Sequence, residues 1–402
     1  MNQPSKLTRK RRNFKPLVLG LVWLQFGLNM AYSNILPGQE ANAIDPIVLR
    51  DLTLIRGDSI VDFNDSSILL TNGNRLTWDQ VLKATLSDGR QDEFDQKLEQ
   101  IGLPLFRLKS RIRRGDWLGA GEIAGPIYDS SSESGKQTTD VDAAYLVSLA
   151  TMKSRVRRGD RAGALIPFVN AAKLQFRASP GALEIVGEDR IAGRECQTGL
   201  SSELLPIWFD HSKLEKIANQ LSNILENSAA DVGGSQAPGM TLYLASIKIE
   251  LGQTEQAISL LGSLESATES DPELKAWQTV MLARLQQKNS HPLNAQTMLE
   301  TNSNKITGTA GVAALYYLGI NNMELVDTSD VDRSKALLTL LRIPALYGTE
   351  QPDLAAAAIY QSARIAELRE KKTDAQKLRD ELLRRYPQTY HGLLLSNQSS
   401  GK

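Results

Sequence analysis

The chain has 402 residues, with 46 basic and 46 acidic side chains, three histidines and one cysteine. No tail or stripe of the sequence is strongly basic, so nucleic acid is not expected as a partner. Because Cys196 is alone, an intrachain disulfide is excluded and the fold must depend on its apolar core. The length exceeds that of a usual single domain and predicts a modular chain.

The first 43 residues have the order of a secretory signal. Six basic residues precede an apolar run from Leu17 to Met30, and small-residue sites follow at Ala31–Ser33 and Ala41–Ala43. The alternative is an uncleaved anchor over residues 17–36, a length barely sufficient to span a bilayer. In both cases we expect the rest of the chain to be exported to the periplasm or cell envelope. It would contact the membrane only through this segment, if uncleaved.

Residues 44–77 differ from the rest, because short β-branched and aliphatic runs alternate with turn residues. Asn72 and Gly73 between two apolar runs are a strong hairpin signal. We predict a small antiparallel β module of three or four strands, which needs support from the first helices because so small a sheet is marginal alone. Thr77 is predicted to cap a helix that begins at Trp78.

From residue 78 to about residue 395 the apolar period is helical and predicts helix pairs. Lys109–Ala120 recurs as Lys153–Ala164 with nine of twelve positions identical, which indicates stacked repeats. A small residue on each first helix is followed twelve positions later by an alanine on the second. A glycine between them is expected to close the first helix in a left-handed conformation. The predicted repeat-packing residues are Gly115, Ala120, Gly159, Ala164, Ala245, Gly252, Ala257, Ala283, Ala295, Ala363, Ala375 and Pro387.

This pattern resembles the tetratricopeptide (TPR) family. The best matching segment is Leu242–Leu264, and the next best is Ile359–Tyr390. Successive alanine positions are 44, 93, 38, 41 and 39 residues apart, against about 34 in the family, and Glu370 stands where the turn glycine would be. The resemblance implies an α-solenoid that binds proteins or peptides. The β segment before diverged repeats also resembles uncharacterised exported planctomycete proteins.

Three stretches interrupt the predicted array. Residues 130–139 and 229–238 are rich in small and turn-forming residues, so a loop and a linker are predicted there. Residues 179–210 are predicted to be an irregular insertion, with a short strand pair at Leu183–Val186 and Arg190–Ala192. The predicted divisions are a signal or anchor (1–43), the β module (44–77), the first helical repeats (78–178), the insertion (179–210), a second repeat block (211–395) and a disordered tail (396–402).

Residues that could carry chemistry are few and scattered. The three histidines, His211, His291 and His391, lack the local pair that a metal site usually has. Glu195 beside Cys196 is expected to raise the pKa of the thiol, which disfavours a nucleophile. The glycines between residues 115 and 125 follow a helix and lack the closing Gly-Lys-Ser of a phosphate loop, so they are expected to permit close helix contact. We therefore predict no catalytic, cofactor or metal residues.

Two features have two interpretations each. The arginine triplets of the repeated segments could bind an anionic partner, but we favour an interaction with the C-terminal helix dipole. Positions i, i+2 and i+3 do not all share one helix face, so at least one arginine of each triplet points away. Trp208 and Phe209 could form an exposed anchor, but we favour packing in the core. The triplets are Arg111, Arg113 and Arg114, and Arg155, Arg157 and Arg158.

The predicted fold is mostly α, a TPR-like α-solenoid of helical hairpins preceded by the small antiparallel β module, α+β overall. The predicted function is a non-catalytic exported scaffold that holds a protein or peptide partner on its concave helical surface. One alternative is a structural envelope component that binds through its β module. Another is an enzyme with an unrecognised site in residues 179–210, which His211 in a deep pocket would favour. An open groove along the first helices would favour the scaffold.

Overall fold

The structure is a computed structural model that describes residues 46–134, 140–230, 238–324 and 330–399. Its described part is about 70% helical, with two small three-stranded antiparallel sheets near its N-terminal end. This confirms a mostly α fold with a small β module. The predicted signal or anchor lies outside the described residues and stays a prediction. Within the described ranges, no helix combines the length and apolar character that crossing a membrane requires.

The β module contains two sheets around one core. Its strands are β1 (Ile47–Leu49), β2 (Leu54–Ile55), β3 (Ile60–Phe63), β4 (Ile68–Leu70), β5 (Arg75–Leu76) and β6 (Val81–Ala84). In one sheet β1 lies between β2 and β6, and in the other β4 lies between β3 and β5. The core contains Phe63, Trp78 and Phe94, whose ring centroids lie 5.1–5.9 Å apart. Phe94 comes from the first helix, which supplies the support that so small a sheet needs.

The β module extends beyond the predicted boundary at Thr77. Thr77 caps a single 3-10 turn, Trp78–Gln80, and its backbone N–H donates to Gln80 Oε1 at 2.9 Å. The chain then returns to the sheet as β6, so the longer helix predicted from Trp78 is wrong. Val81 and Ala84 are buried against β1 while the two residues between them are exposed. The pairing and burial that β6 gains against β1 therefore outweigh the helical preference of the local sequence.

The rest of the described chain is helical. The helices are α1 (Gln91–Lys97), α2 (Leu103–Arg113), α3 (Trp117–Ser134), α4 (Val141–Arg157), α5 (Arg161–Gln175), α6 (Pro180–Val186), α7 (Gly193–Thr198), α8 (Leu214–Ala230), α9 (Pro238–Glu250), α10 (Thr254–Gly262), α11 (Glu265–Ser270), α12 (Pro272–Lys288), α13 (Pro292–Thr301), α14 (Gly308–Glu324), α15 (Asp330–Leu346), α16 (Pro352–Leu368), α17 (Lys372–Arg385) and α18 (Tyr390–Ser399). A π-helical segment, Leu98–Gly102, joins α1 to α2. Helix pairs α2/α3, α4/α5, α9/α10, α12/α13, α14/α15 and α16/α17 pack as hairpins, and α9, α12, α14 and α16 contact one another in succession. This neighbour packing is typical of stacked helical repeats.

The turns of the hairpins use left-handed residues. Gly115, Gly159 and Gly252 have φ of 67°, 72° and 73°, which confirms the predicted helix endings. Ser290 and Glu370 occupy corresponding turns with φ of 63° and 59°. A side chain at such an angle costs free energy, so the surrounding packing must hold these two turns.

The predicted packing alanines are all buried, none more than 2% exposed. They are Ala120, Ala164, Ala245, Ala257, Ala283, Ala295, Ala363 and Ala375. Gly121 in α3 has a similar environment, since a Cβ there would lie 2.1 Å from the Ser154 side chain in α4. Pro387, by contrast, is exposed in the turn between α17 and α18. Small side chains therefore lie where helices pack against one another.

Several predicted irregular stretches are helical. Residues 130–134 continue α3, and residues 135–139 lie outside the described part. Residues 229–230 end α8 and Pro238 begins α9, with 231–237 outside that part. Residues 396–399 belong to α18 rather than to a disordered tail.

The strand pair predicted in the insertion is also wrong. Leu183–Val186 lies in α6, and Arg190–Ala192 is the connection that leads into α7. The physical reason is a helix-start signal, because Ser179 accepts a hydrogen bond from Ala182 N and Pro180 occupies the first helical position. The insertion is therefore partly helical, and its longest irregular stretch begins after α7.

Candidate functional site

Three first helices of the hairpins are buried on all sides over part of their length. Successive residues are buried over 145–154 in α4, 239–247 in α9 and 353–359 in α16. A surface helix would bury only one stripe of its residues. Over these residues the three helices therefore line no open groove.

An irregular segment of the chain itself lies against these helices. We call residues 199–213 the inner segment. Four of its apolar side chains enter the main core and are at most 4% exposed: Leu204, Leu205, Ile207 and Trp208. Phe209, next in the chain, is partly buried against the same core. Core packing of Trp208 is thus confirmed.

Polar groups of α9 hold the inner segment. The Tyr243 hydroxyl accepts from Ser201 N at 3.0 Å and donates to the carbonyl of Leu204. Trp208 Nε1 donates to Ser246 Oγ at 2.8 Å. Because these groups are buried, each unmade bond would be costly, so the contacts fix the position of the segment.

Charged and aromatic contacts hold the segment to other parts of the array. Glu203 forms an ion pair with the buried Lys153 of α4, and Lys213 Nζ lies 2.9 Å from Asp160 Oδ2. Phe209 packs against His391, with ring centroids 4.7 Å apart. The inner segment therefore connects α4, α9 and the C-terminal helix α18.

The residues first considered for catalysis do not form a reactive group. Cys196 is buried, and burial together with Glu195 raises the pKa of its thiol to about 11. His211 is half exposed, with Nε2 3.9 Å from Glu250 Oε2. Among the residues described, no group of three or more His, Cys, Asp or Glu could hold a metal ion.

Glu250 is the centre of a buried charge cluster. Arg284 contacts it at 2.8 and 3.2 Å, and Lys288 at 2.7 Å. Burial would raise the pKa of Glu250, but the two cations outweigh it and hold that pKa below its ordinary value. Because the carboxylate is paired on both sides, the cluster is a structural link between α9 and α12.

An early hairpin and the C-terminal end of the array contact each other. Arg161, the first residue of α5, donates from Nε to Asp353 Oδ2 of α16 at 2.6 Å, and both side chains are less than 10% exposed. Gly159 lies so close to α18 that a Cβ there would be 2.7 Å from Tyr390 N. Stacked repeats normally contact only their neighbours, so this contact is additional to the repeat architecture.

A cleft of about 740 Å³ opens beside this contact, and we call it the junction cleft. Apolar side chains, including Val156, Pro352 and Pro387, line part of it. Its polar lining includes Arg157, Arg161, Thr309, Asp353, Arg385 and Tyr386. The cleft therefore offers apolar contacts and hydrogen-bonding groups together, which is usual for a binding pocket.

Charged and aromatic side chains give the junction cleft its polar character. Arg161 is held by its ion pair with Asp353, and the Tyr386 hydroxyl lies beside the Arg385 side chain. The volume of the cleft and its mixed lining make it the candidate site.

The sequence did not identify this site. Arg157 belongs to an arginine triplet and Gly159 is a turn residue, but neither feature of the sequence predicts a position at a cleft. Four of the other triplet arginines form contacts within the protein: Arg111 with Asp116, Arg114 with the Ser110 carbonyl, Arg155 with Asp129 and the Gly163 carbonyl, and Arg158 with Glu122. One signal was present, because Arg161 is one of the few positions where the two repeated segments differ.

No family model matches the chain, and no curated protein matches it either. The TPR resemblance therefore remains an interpretation of spacing and packing.

Proposed function

We propose that this protein is a non-catalytic exported scaffold, that it holds a protein or peptide partner, and that the partner binds at the junction cleft. The observation that carries the proposal is the combination of volume, apolar lining and polar lining side chains in this cleft. The inner segment lies against α4 and α9, so the cleft is the better candidate for partner contact.

The lining of the junction cleft suits a peptide. Its volume of about 740 Å³ lies within the usual range of ligand pockets, about 300–1,000 Å³. Arginine and tyrosine are enriched among the residues that dominate protein interfaces, and the cleft has Arg157, Arg385 and Tyr386. A partner could therefore bury an anchor side chain there while its backbone follows the rim.

The inner segment supports the ability of this array to bind an extended chain. Tyr243 of α9 contacts the backbone of residues 201 and 204, while Ser246 and Lys153 bind side chains of the segment. These are the kinds of contact by which a protein binds a peptide, made here within one chain. We propose that a partner is bound by similar contacts at the neighbouring cleft.

The test places a photo-crosslinking amino acid at exposed Gln388, which lines the junction cleft, or at exposed Gln256 on α10. The full-length protein is produced in its native host and illuminated. We expect a discrete covalent adduct in the envelope fraction from position 388 and none from position 256. Adding Arg157→Glu and Arg385→Glu to the first variant should reduce the adduct about tenfold or more, because both rim charges are reversed.

Two results would contradict the proposal. Equal adducts from both positions would show non-specific contact, and an adduct that the charge reversals leave unchanged would place the partner elsewhere. Circular dichroism of each variant shows whether the fold is retained.

A second candidate function rests on the β module. Leu52, Leu54 and Leu82 are 76%, 41% and 43% exposed on or beside the β2-β1-β6 sheet, which is unusual for large apolar side chains in one small module. This favours a structural envelope component that binds through the module. A crosslink from position 52 but not from position 388 would support this function over the first.

A further inference from the structure

The exposed leucines of the β module form a surface that is separate from the junction cleft. We infer that the outward side of the β2-β1-β6 sheet docks on the surface of an anionic lipid bilayer. We call this side, together with the turn between β1 and β2, the outer β face. The inference rests on the second candidate function, in which the module makes the envelope contact, and it names the surface that the module binds.

The strand register places apolar side chains on the outer β face. Val48 of β1 lies opposite Leu54 of β2 and Lys83 of β6, so these three residues share one side of the sheet. Ile47, the preceding residue of β1, is fully buried on the other side. Leu82 lies at the irregularity in the β1–β6 pairing and is 43% exposed. One side of the sheet therefore packs in the core, and the other presents apolar side chains outward.

Leu52, in the turn between β1 and β2, is disfavoured both by its backbone conformation and by its exposure. Its φ is 69°, a left-handed conformation that favours glycine or asparagine, and its side chain is 76% exposed. The turn is closed by hydrogen bonds from Leu52 N to the Leu49 carbonyl at 2.9 Å and from Leu49 N to the Thr53 carbonyl at 2.8 Å. Neither the turn nor the core gains from leucine at this position, so a contact outside the chain explains it.

The charge around these leucines favours a bilayer as the occupant. The strands and turn of this sheet, residues 48–56 and 81–84, contain one acidic residue, Asp51, and three basic ones: Arg50, Arg56 and Lys83. Apolar side chains that project among basic residues suit the boundary between acyl chains and anionic headgroups. An exposed leucine at a turn can enter that boundary without a complementary pocket.

The position of the module in the chain also favours a bilayer. The predicted anchor over residues 17–36 would leave only residues 37–46 before β1. Ten residues span at most about 35 Å when fully extended, so an uncleaved anchor would keep the module close to the membrane. A surface tethered in this way can dock through weak contacts, because its effective concentration at the bilayer is high.

The test measures whether one labelled position reaches the acyl chains. Thr53→Cys places an environment-sensitive fluorophore beside Leu52, and Asn294→Cys places it beside Leu293, which is 67% exposed in α13. The native Cys196 is buried, so labelling is directed to the introduced thiol. The full-length protein is mixed with vesicles of equal parts phosphatidylglycerol and phosphatidylcholine whose acyl chains are brominated. We expect quenching at position 53 and none at position 294.

The variant Leu52→Asn separates docking from folding. Asparagine tolerates positive φ, so the variant should be at least as resistant to denaturant as the wild type. The ratio of quenched to unquenched label at position 53 should fall about tenfold or more, because the apolar side chain that enters the bilayer is lost. Lys83→Gln should lower the same ratio about fivefold. Leu293→Asn is the matched control and should leave it unchanged.

Three results would overturn the inference: equal quenching at the two positions, quenching at position 53 that Leu52→Asn leaves unchanged, or a chain that does not bind these vesicles. A lipid-free dimer that Leu52→Asn dissociates, measured by light scattering, would assign the face to a second copy and would also overturn it. A protein adduct from position 52 without lipid quenching would reject the bilayer while the second candidate function stands. The position-388 adduct tests the junction cleft separately.

Discussion

The two copies of the repeated segment show how nearly identical local sequences acquire different tertiary contacts. Both copies close a helix at a glycine with positive φ, and in both an aspartate then accepts a hydrogen bond from the N–H three residues later, at 3.0 Å. These shared features depend only on residues within the segment. The shared sequence therefore determines the turn and the start of the next helix.

The copies differ in what they contact beyond the turn. Lys109 pairs with Asp79 at the β module, whereas Lys153 pairs with Glu203 of the inner segment. Where the first copy has Trp117, fully buried, the second has Arg161, paired with a carboxylate 192 positions away. A substitution at one position thus gives the second copy a contact that the first cannot make.

The largest effect is expected from breaking that contact. Arg161→Leu leaves the Asp353 carboxylate buried without its partner and should lower the free energy of unfolding by about 3–5 kcal/mol. The double variant with Asp353→Leu removes both charges and should recover most of the loss. Chemical denaturation measures both. A single variant as stable as the wild type would mean that the pair does not hold the two regions together.

The helix that abuts the second copy should make stability depend on pH. Burial lowers the pKa of His391 in α18 from 6.5 to about 4, and its ring packs against the rings of Phe209, Tyr360 and Tyr390. The unfolded chain therefore binds a proton more readily, and stability falls as pH drops from about 6.5 to 4.

His391→Phe should remove this part of the pH dependence, roughly 3 kcal/mol at about 1.4 kcal/mol per pKa unit. Unfolding measured at pH 7 and pH 4 checks it. His291→Asn, at an exposed position, is the control and should leave the slope unchanged. An unchanged slope in the His391 variant would show that the ring does not stay neutral in the folded protein.

The smallest expected effect is the difference in lost stability between alanine substitutions at the two turn glycines, Gly115 and Gly159. Gly115→Ala should cost about 1–2 kcal/mol, because the residue has positive φ and no described atom within 4 Å of an added Cβ. Gly159→Ala has the same backbone cost and also meets the backbone of α18, so its cost should exceed that of Gly115→Ala by about 1 kcal/mol or more. Thermal or chemical unfolding of the two variants gives the difference directly. Equal costs would mean that α18 can move away.

The parts of the fold that could be predicted are those determined by residues close together in the sequence. Asn72 and Gly73 indicated a hairpin, and the left-handed residue Gly73 lies between β4 and β5. The turn glycines and buried alanines followed from helix geometry. The β6 strand could not be predicted, because Val81 and Ala84 are placed by pairing with β1, more than 30 residues earlier. Glu370 adopts positive φ although its own side chain disfavours it.

The junction cleft could not be predicted either, because it also depends on contacts between residues that are distant in the sequence. Arg161 and Asp353 are far apart in the sequence, and Thr309 lies in a segment with no motif of its own. The cleft exists because the second hairpin meets the C-terminal helices, and no periodicity in the sequence records that contact. In the sequence, the position of Arg161 was indicated only by its difference from Trp117 at the matched position of the first repeated segment.

The contact between the α4–α5 turn and α18 also bears on how this chain can evolve. An open array can gain or lose a repeat, because each unit contacts only its neighbours. Inserting or deleting one hairpin between α5 and α16 would carry Asp353 away from Arg161 and Tyr390 away from Gly159. Selection for this contact would therefore fix the number of hairpins, and descendants of the chain would change by substitution within existing units rather than by duplication.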